Sequence, residues 1–370
     1  MNTDANIDII REMSKKKMGC SNKYHHDLYE KRILELLVVH RMEKSLTIKL
    51  NPSPLHSLHF NYNGTRLAGT TDEKDVTVWD WERKRKLTSF NVRNCKADDR
   101  AICSKLLDSP FIPVPYISVV TCGRKFKEIM YCIETSTGTR AARKLGEHYA
   151  TSEELPPGVS PIATFSDPNV VMTVGEDGRV VLHDIRKMSE DNLLVVNNGR
   201  AGKADLSHVA VNPAEATKEF CVLGETNGIL GFDMRNCKNS LFKLPPQSPM
   251  QLESFAYNKR GSRIVVGDPV SLRLYDTQTP YLKLWEYRCH STEVLGPVQF
   301  FGPFHQYVVA GMNGGVGIWS LTSSSLLKKL LTEEDTSCIA VNSDELALGV
   351  KGINPEIQKW KAPDSGLGLD

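Results

Sequence analysis

The sequence has few of the features that mark secreted, membrane or metal-binding proteins. Its nine cysteines include no C-x-x-C pair and are scattered from Cys20 to Cys338, which predicts buried reduced thiols rather than a disulfide framework or a metal site. No apolar run reaches the roughly 18 residues that a membrane span needs. Charged residues within the first dozen positions are not typical of a secretory signal. We therefore expect a protein of the nucleus or the cytoplasm, with no membrane partner, metal or cofactor.

The chain also lacks a strong net charge. Its 46 basic and 44 acidic residues leave a formal charge of +2 over 370 residues. Such a balance gives no reason to expect nucleic acid or an anionic membrane as the main partner. Two short basic runs are local exceptions. The lysines at 15–17 match a nuclear signal or a solvated segment, and the run at 83–86 matches an anion contact or a charged loop beside an outer strand.

Catalytic signatures are missing as well. The sequence contains no H-E-x-x-H, P-loop or G-x-S-x-G motif, and no glycine-rich fingerprint after a strand. The glycine-rich segment at 311–317 is similar to a phosphate cradle, but it lies between two apolar runs and predicts a hairpin turn. His25-His26 belongs to no motif with metal-ligand spacing, so a metal site is not expected there. We therefore assign no catalytic residue and expect no enzyme.

What the sequence does contain is a repeat. An apolar alternating run leads through a polar turn to a second apolar run, which ends in small residues. A tight turn then leads to a third run that closes on a large residue, often followed by Asp. The clearest copy begins at Leu55, turns at Asn63-Gly64 and closes on Trp79-Asp80. Asn-Gly and Asp-Gly turns between apolar runs are strong hairpin signals, so the repeat predicts a tandem array of short antiparallel strands.

Six units follow this pattern clearly, and a weaker one at 116–132 lies between the first two. The closing residues are Trp79, Cys132, His183, Phe232, Tyr275, Trp319 and Trp360. Successive closing residues are 41–53 positions apart, near or slightly above the roughly 40–45 residues of a WD-type blade. The pattern resembles the WD-repeat family. We therefore predict an all-β fold, a seven-bladed WD-repeat β-propeller with a short N-terminal extension.

A ring of blades needs its ends joined, because an open sheet edge invites unwanted pairing. The last unit has no fourth strand of its own, since the residues after Lys361 are rich in Pro and Gly. The apolar run at 33–39 has no partner either, so we predict that 31–40 forms the outer strand of the final blade, with an amphipathic helix as the alternative. The chain then divides into a polar extension at 1–30, a propeller at 31–363 and a tail at 364–370. Inserted loops are expected around Pro156 and at 197–205.

Two Asp-x-Arg boxes stand at the same phase of consecutive units. The boxes are His183-Asp184-Ile185-Arg186 and Phe232-Asp233-Met234-Arg235. Loops between third and fourth strands lie on one rim of a propeller, so both guanidinium groups are expected on the same side. An arginine offers a planar fork of donors on a long stem, which suits a protein interface. The alternative is that each arginine only pairs with its own aspartate. The first unit places Glu82 where a third box would have Arg, with Arg83 one position late.

The boxes and several other segments resemble the substrate receptors of cullin-4 ubiquitin ligases, the damaged-DNA-binding-protein-and-cullin-4-associated factors. The segments that carry the resemblance are Leu58-His-Phe60, Asn63-Gly-Thr65, 76–81, His183-Asp-Ile-Arg186, Val211-Asn-Pro213, Val298-Gln-Phe-Phe-Gly-Pro303 and Lys359-Trp-Lys-Ala-Pro363. The resemblance covers about residues 24–363. It implies that Arg186 and Arg235, with Asp184 and Asp233, dock the propeller onto the damaged-DNA-binding-protein-one adaptor.

The function expected from this resemblance is a non-catalytic substrate receptor of a cullin-4 RING ubiquitin ligase. Such a receptor holds a protein substrate near a ubiquitin-loaded partner and so raises its effective concentration. The alternative is a ligase-independent scaffold that binds a protein or peptide on the opposite face. The substrate itself is not indicated by any residue pattern.

Overall fold

The computed structural model of the chain describes residues 38–362, with gaps at 51–54, 72–74, 92–99, 108–115, 124–126, 135–141, 150–159, 166, 188, 197–204, 215–217, 225–227, 246–253, 270, 279–280, 289–296, 323 and 353. The polar extension at 1–30, the tail at 364–370 and most of the two expected inserted loops lie outside the described residues. Within the described ranges, no helix is long and apolar enough to cross a membrane.

The described residues form short strands and one helical turn at 38–41. The first fourteen strands are β1 (Glu43–Lys49), β2 (Leu55–Phe60), β3 (Arg66–Thr71), β4 (Asp75–Asp80), β5 (Arg85–Asn91), β6 (Arg100–Leu107), β7 (Tyr116–Gly123), β8 (Lys127–Glu134), β9 (Ala142–Tyr149), β10 (Ile162–Thr164), β11 (Val170–Val174), β12 (Arg179–Asp184), β13 (Ser189–Val195) and β14 (Leu206–Val211). The others are β15 (Glu219–Gly224), β16 (Gly228–Asp233), β17 (Phe242–Leu244), β18 (Ser254–Tyr257), β19 (Arg263–Asp268), β20 (Ser271–Asp276), β21 (Lys283–Arg288), β22 (Val298–Phe301), β23 (Tyr307–Met312), β24 (Gly315–Ser320), β25 (Leu326–Leu331), β26 (Thr336–Asn342), β27 (Glu345–Val350) and β28 (Glu356–Lys361).

Antiparallel pairing joins these strands into seven four-stranded sheets. Six sheets take four consecutive strands each, from β2–β5 to β22–β25, and the last has the order β1-β28-β27-β26. The first strand of each consecutive sheet contacts the next around a closed cycle: β2, β6, β10, β14, β18, β22, β26 and back to β2. The arrangement is a β-propeller, so the all-β propeller fold predicted from the repeat is confirmed.

The sheet β6–β9 corresponds to the weakest unit of the repeat. Its strands β7 and β8 coincide with the runs at 116–121 and 128–132 that the sequence offered for this unit. The pairing of these two strands is described through the backbone, and their side chains lie outside the described residues. The other six sheets have described side chains on both middle strands.

The middle strands are buried because each sheet packs its two faces against neighbouring sheets. Every residue of β15, β23 and β24 is buried, whereas the outer strand β1 contains only exposed and half-buried residues. Burial on both faces explains why the second and third runs of the repeat are continuously apolar rather than alternating. The glycine-rich segment at 311–317 is the hairpin between β23 and β24, as the sequence predicted.

The strand that completes the last sheet precedes the first unit in the sequence, as the closure of the ring requires. It begins at Glu43, however, and so lies after the predicted range of 31–40. Strand β1 pairs with β28, whereas 38–41 forms the helical turn and 31–37 lie outside the described residues. The expected closing strand at 31–40 is therefore wrong in position. An outer strand leaves one face in water and tolerates the polar start of β1. By contrast, Val39 and Met42 are fully buried in the core between the last two sheets.

Side chains also tie the first sheet to the last. The indole Nε1 of Trp81 donates a hydrogen bond of 2.7 Å to Glu345 Oε2 on β27. The same carboxylate forms an ion pair of 2.7 Å with Lys359 on β28, whose ammonium lies 4.8 Å from the Trp81 ring centroid. The ring is thus closed both by the backbone of β1 and by these three side chains.

Candidate functional site

Both Asp-x-Arg boxes form the turn that follows a third strand. In each turn the aspartate carboxylate accepts the backbone N–H of the arginine two positions later. The distances are 3.0 Å from Arg186 to Asp184 and 2.9 Å from Arg235 to Asp233. This is an Asx-type turn, in which a short acidic side chain satisfies a backbone donor. Each aspartate therefore has a structural task in its own loop.

The middle residue of each box fixes which way its neighbours point. Ile185 donates its backbone N–H to the Asn169 carbonyl, and Met234 donates to the Lys218 carbonyl, both at 2.9 Å. The Ile185 side chain is buried, and that of Met234 packs against the core shared by the sheets β10–β13 and β14–β17. Because the middle side chain turns inward, the arginine after it turns outward.

Each arginine pairs with the aspartate of its own box, and both remain exposed. The closest nitrogen-to-oxygen distance is 3.0 Å for Arg186 with Asp184 and 2.7 Å for Arg235 with Asp233. The arginine side chains are 57% and 67% exposed. Hydrogen bonds from these guanidinium groups lower the pKa of both carboxyl groups to about 2. The sequence left open the alternative that each arginine pairs with its own aspartate. This pairing is present, and both arginines are also exposed to solvent.

The same turn occurs in other sheets without arginine. Asp276 accepts the backbone N–H of Gln278 at 2.7 Å, and Ser320 accepts that of Thr322 at 3.2 Å. The turn therefore does not require an arginine at its third position.

The first sheet builds a different turn. Asp80 accepts the N–H of Arg83, three positions later, at 2.9 Å. The Arg83 side chain is exposed and lies 3.9 Å from Asp80. This confirms that Arg83 stands one position late relative to the two boxes. The basic run at 83–86 forms the turn into β5 and the start of that strand, and all four residues are exposed.

The fold brings the two boxes to one rim. The boxes end β12 and β16, which are the third strands of two sheets whose first strands, β10 and β14, contact each other. Equivalent strands of successive propeller sheets run in the same direction, so the turns after β12 and β16 lie on the same side of the ring. The expectation that both guanidinium groups face one side follows from this topology.

Sequence reasoning missed a buried polar relay between the sheets β6–β9 and β10–β13. His148 Nδ1 lies 3.0 Å from Asp177, and His148 Nε2 lies 3.0 Å from the Thr173 hydroxyl. That hydroxyl lies 2.9 Å from His183 Nε2. These distances fit one chain of hydrogen bonds. In it, His183 Nε2–H donates to the Thr173 hydroxyl, this hydroxyl donates to His148 Nε2, and His148 Nδ1–H donates to the Asp177 carboxylate. It leaves His183 Nδ1 as an acceptor, and this atom has no hydrogen-bond partner.

The relay contains the residue types of a hydrolytic triad, but its environment is closed. His148, Thr173 and His183 are each at most 1% exposed, so the Thr173 hydroxyl has no access to a substrate. The relay therefore holds two sheets together. Only Asp177, in an Asp-Gly turn, and His183, a closing residue, had any sequence signal, and neither signal pointed to the relay.

Acidification below about pH 6.5 is expected to destabilise the fold, because buried histidines are held neutral. Burial, with the nearby Arg179 guanidinium, lowers the pKa of His183 to about 4. Burial and the Lys105 ammonium lower the pKa of His208 to about 3. Both groups protonate near 6.5 in an unfolded chain. Below pH 6.5 the unfolded state therefore binds more protons than the folded state. Each of the two histidines then lowers the free energy of unfolding by about 1.4 kcal/mol for every unit by which the pH is lowered. Urea unfolding between about pH 7.5 and 5 measures this slope.

A His208→Gln variant provides the control for this slope. The backbone N–H of Ser160 donates to His208 Nδ1 at 3.2 Å, and a glutamine oxygen can accept the same bond. The variant should show a shallower loss of stability over the same pH range, whatever its stability at neutral pH. A slope equal to that of the wild type would contradict the assignment. Asp177 does not interfere, because its pKa is lowered and its contribution is lost only below about pH 4.

In the described part of the chain, no group of three or more His, Cys, Asp or Glu residues is placed to hold a metal ion. Cys103, Cys221, Cys237 and Cys338 are free thiols, and all of them except Cys237 are buried. No model of a known protein family matches the chain.

Proposed function

We propose that the chain is a seven-bladed WD-repeat propeller that serves as a non-catalytic substrate receptor of a cullin-4 RING ubiquitin ligase. Arg186 and Arg235 would contact the damaged-DNA-binding-protein-one adaptor, and Asp184 and Asp233 would hold them in position. The observation that carries the proposal is the pair of exposed arginines at the same position of neighbouring sheets.

The arginines are not explained by the needs of the fold. Gln278 and Thr322 occupy the same turn position in other sheets and donate the same backbone hydrogen bond. An exposed ion pair contributes little to stability, because water already solvates both charges. Two arginines in equivalent turns are therefore better accounted for by a partner than by folding.

Pairing with the aspartate prepares each arginine for docking. In both boxes the carboxylate accepts hydrogen bonds from Nε and Nη2. The hydrogens of Nη1 take no part in these bonds, so they can be offered to carbonyl or carboxylate oxygens of a partner. Because the aspartate already restricts the guanidinium, less conformational entropy is lost when the partner binds. This is the role proposed for Asp184 and Asp233.

The test is capture of the purified adaptor by the full chain and by an Arg186→Ala, Arg235→Ala double variant. An interface arginine that acts as a hot spot contributes about 2 kcal/mol or more, so the double variant should bind about a hundredfold more weakly or worse. Arg83→Ala is the matched control, since Arg83 is also exposed and paired with an aspartate after a third strand. It should bind like the wild type.

Two results would contradict the proposal. One is wild-type affinity in the double variant, and the other is an equal loss in the Arg83→Ala control. If the wild-type chain binds no adaptor but recovers other stable partners, the ligase-independent scaffold is the better description of its function.

A further inference from the structure

The first strands of the propeller enclose a central cavity of about 390 Å³. This size lies within the range of small-molecule sites. Four basic side chains line it, contributed by four different sheets: His59, Lys105, His208 and His305. None of the described residues that line it carries a carboxylate. Among the described residues, the charged and titratable side chains that line the cavity are therefore all basic.

Lys105 is the residue of this cavity for which the described part of the chain supplies no counter-charge. It lies on β6 and is half-buried, and no described Asp or Glu lies within ion-pair distance of its ammonium. Burial lowers its pKa, and its charge lowers the pKa of both His59 and His208. These three groups therefore interact across the cavity. A cation withdrawn from water without an anion is costly, and proteins normally pair such a group.

We propose that the central cavity binds an oxyanion, a carboxylate or a phosphate, through the ammonium of Lys105. A charge-assisted hydrogen bond from Lys105 would supply the missing counter-charge. His208 also lines the cavity and can add a second donor. Its Nδ1 accepts the Ser160 N–H at 3.2 Å, so the neutral ring carries its hydrogen on Nε2. The ring is held in place against Phe255, with centroids 4.6 Å apart.

The oxyanion can come from two sources of the same chemistry. One is a free small anion, and the other is the acidic side chain of a peptide that enters the channel. A cavity of about 390 Å³ admits either of these but not a folded partner. This site is distinct from the rim that carries Arg186 and Arg235. The proposal of anion binding therefore does not depend on the proposal of adaptor docking.

The first test needs no ligand. A Lys105→Met variant keeps the length of the side chain and removes its charge. In a buffer free of phosphate and carboxylates, removal of an unpaired cation should leave the melting temperature unchanged or raise it. A fall of more than about 5 °C would mean that the ammonium already has a partner within the protein, and it would overturn the proposal.

The second test titrates the full chain with inorganic phosphate and, separately, with N-acetyl-glutamate amide, by calorimetry at low ionic strength. We expect saturable binding of at least one probe by the wild type, and at least a tenfold loss in Lys105→Met. Lys105→Arg should retain most of the affinity. Lys86→Met, which removes an exposed lysine of the rim, should bind like the wild type. Binding of phosphate identifies a free anion as the source, and binding of the glutamate derivative alone identifies a peptide side chain.

Two outcomes of this titration overturn the proposal. In the first, neither probe shows saturable binding to the wild type. In the second, Lys105→Met binds as tightly as the wild type, so the anion lies elsewhere. The Lys105→Arg variant guards against a loss caused by misfolding, because it preserves the charge.

Discussion

An Asp268→Ala variant is expected to lose about 3–5 kcal/mol of the free energy of unfolding. Asp268 and Arg273 form an ion pair of 3.0 Å in which the side chains are 3% and 1% exposed. Alanine would leave the guanidinium buried without a counter-charge. Its Nε already has no hydrogen-bond partner, and the Tyr275 hydroxyl, 3.4 Å from Nη1, is a weak substitute. Denaturation by guanidinium chloride at neutral pH measures the loss.

A double variant, Asp268→Ala with Arg273→Met, separates the unpaired charge from the lost packing. Replacing both members of a buried ion pair by apolar groups is often neutral, so this variant should recover much of the stability that Asp268→Ala loses. A loss below about 1 kcal/mol in Asp268→Ala would show that the pair lies closer to solvent than the structure indicates.

Truncation of Trp81 is expected to cost about 3–5 kcal/mol and to loosen the closure of the ring. The Trp81 side chain is fully buried and packs edge-on against Phe60, with centroids 5.2 Å apart. Alanine removes this packing, the hydrogen bond to Glu345 and the ring beneath the Lys359 ammonium. Chemical denaturation gives the total loss. Hydrogen exchange should show faster exchange of the amides in β1 and β28 than in the wild type.

A Trp81→Phe variant distinguishes the hydrogen bond from the packing. It keeps an aromatic ring but leaves Glu345 without the indole donor, so we expect a smaller loss of about 1–3 kcal/mol. If Trp81→Ala destabilises the protein without faster exchange in β1 and β28, the side chain supports its own sheet and not the closure.

The parts of the fold that the sequence predicted well depend on local signals. Every predicted closing residue lies in a third strand, and the Asp177-Gly178 and Asn313-Gly314 turns connect strands as expected. A short strand buried on both faces has a continuous apolar run, and a hairpin turn has a narrow choice of residues. The two boxes were found for the same reason, because each is a turn at a fixed distance from a closing residue.

The closing strand was placed wrongly because an outer strand carries a weak signal. Strand β1 mixes charged residues with Leu46 and Ile48, and only this short alternation marks it. The apolar run before it was the stronger pattern. Its last residue, Val39, is instead buried within the helical turn. Hydrophobicity indicated burial correctly there, but it did not distinguish a helical turn from a strand.

The polar interior could not be predicted because it depends on contacts between distant sheets. His148 and Asp177 belong to different sheets, and Lys105 is only one charged residue in a strand of a weak unit. Nothing in the local sequence indicates that three histidines from other sheets share its cavity. Such groups become visible only when the ring is assembled.

Closure by β1 also sets the order in which the protein can finish folding. Ser45 of β1 and its hydrogen-bond partner Lys359 of β28 are 314 positions apart. During synthesis, β1 emerges before every other strand of the ring. It remains unpaired until its partner β28, the last strand, has been synthesised. Pairings across such long loops form slowly, and an unpaired strand edge is exposed to other chains in the meantime. A ribosome-bound chain that stops short of β28 therefore carries an unsatisfied strand, which a chaperone can recognise.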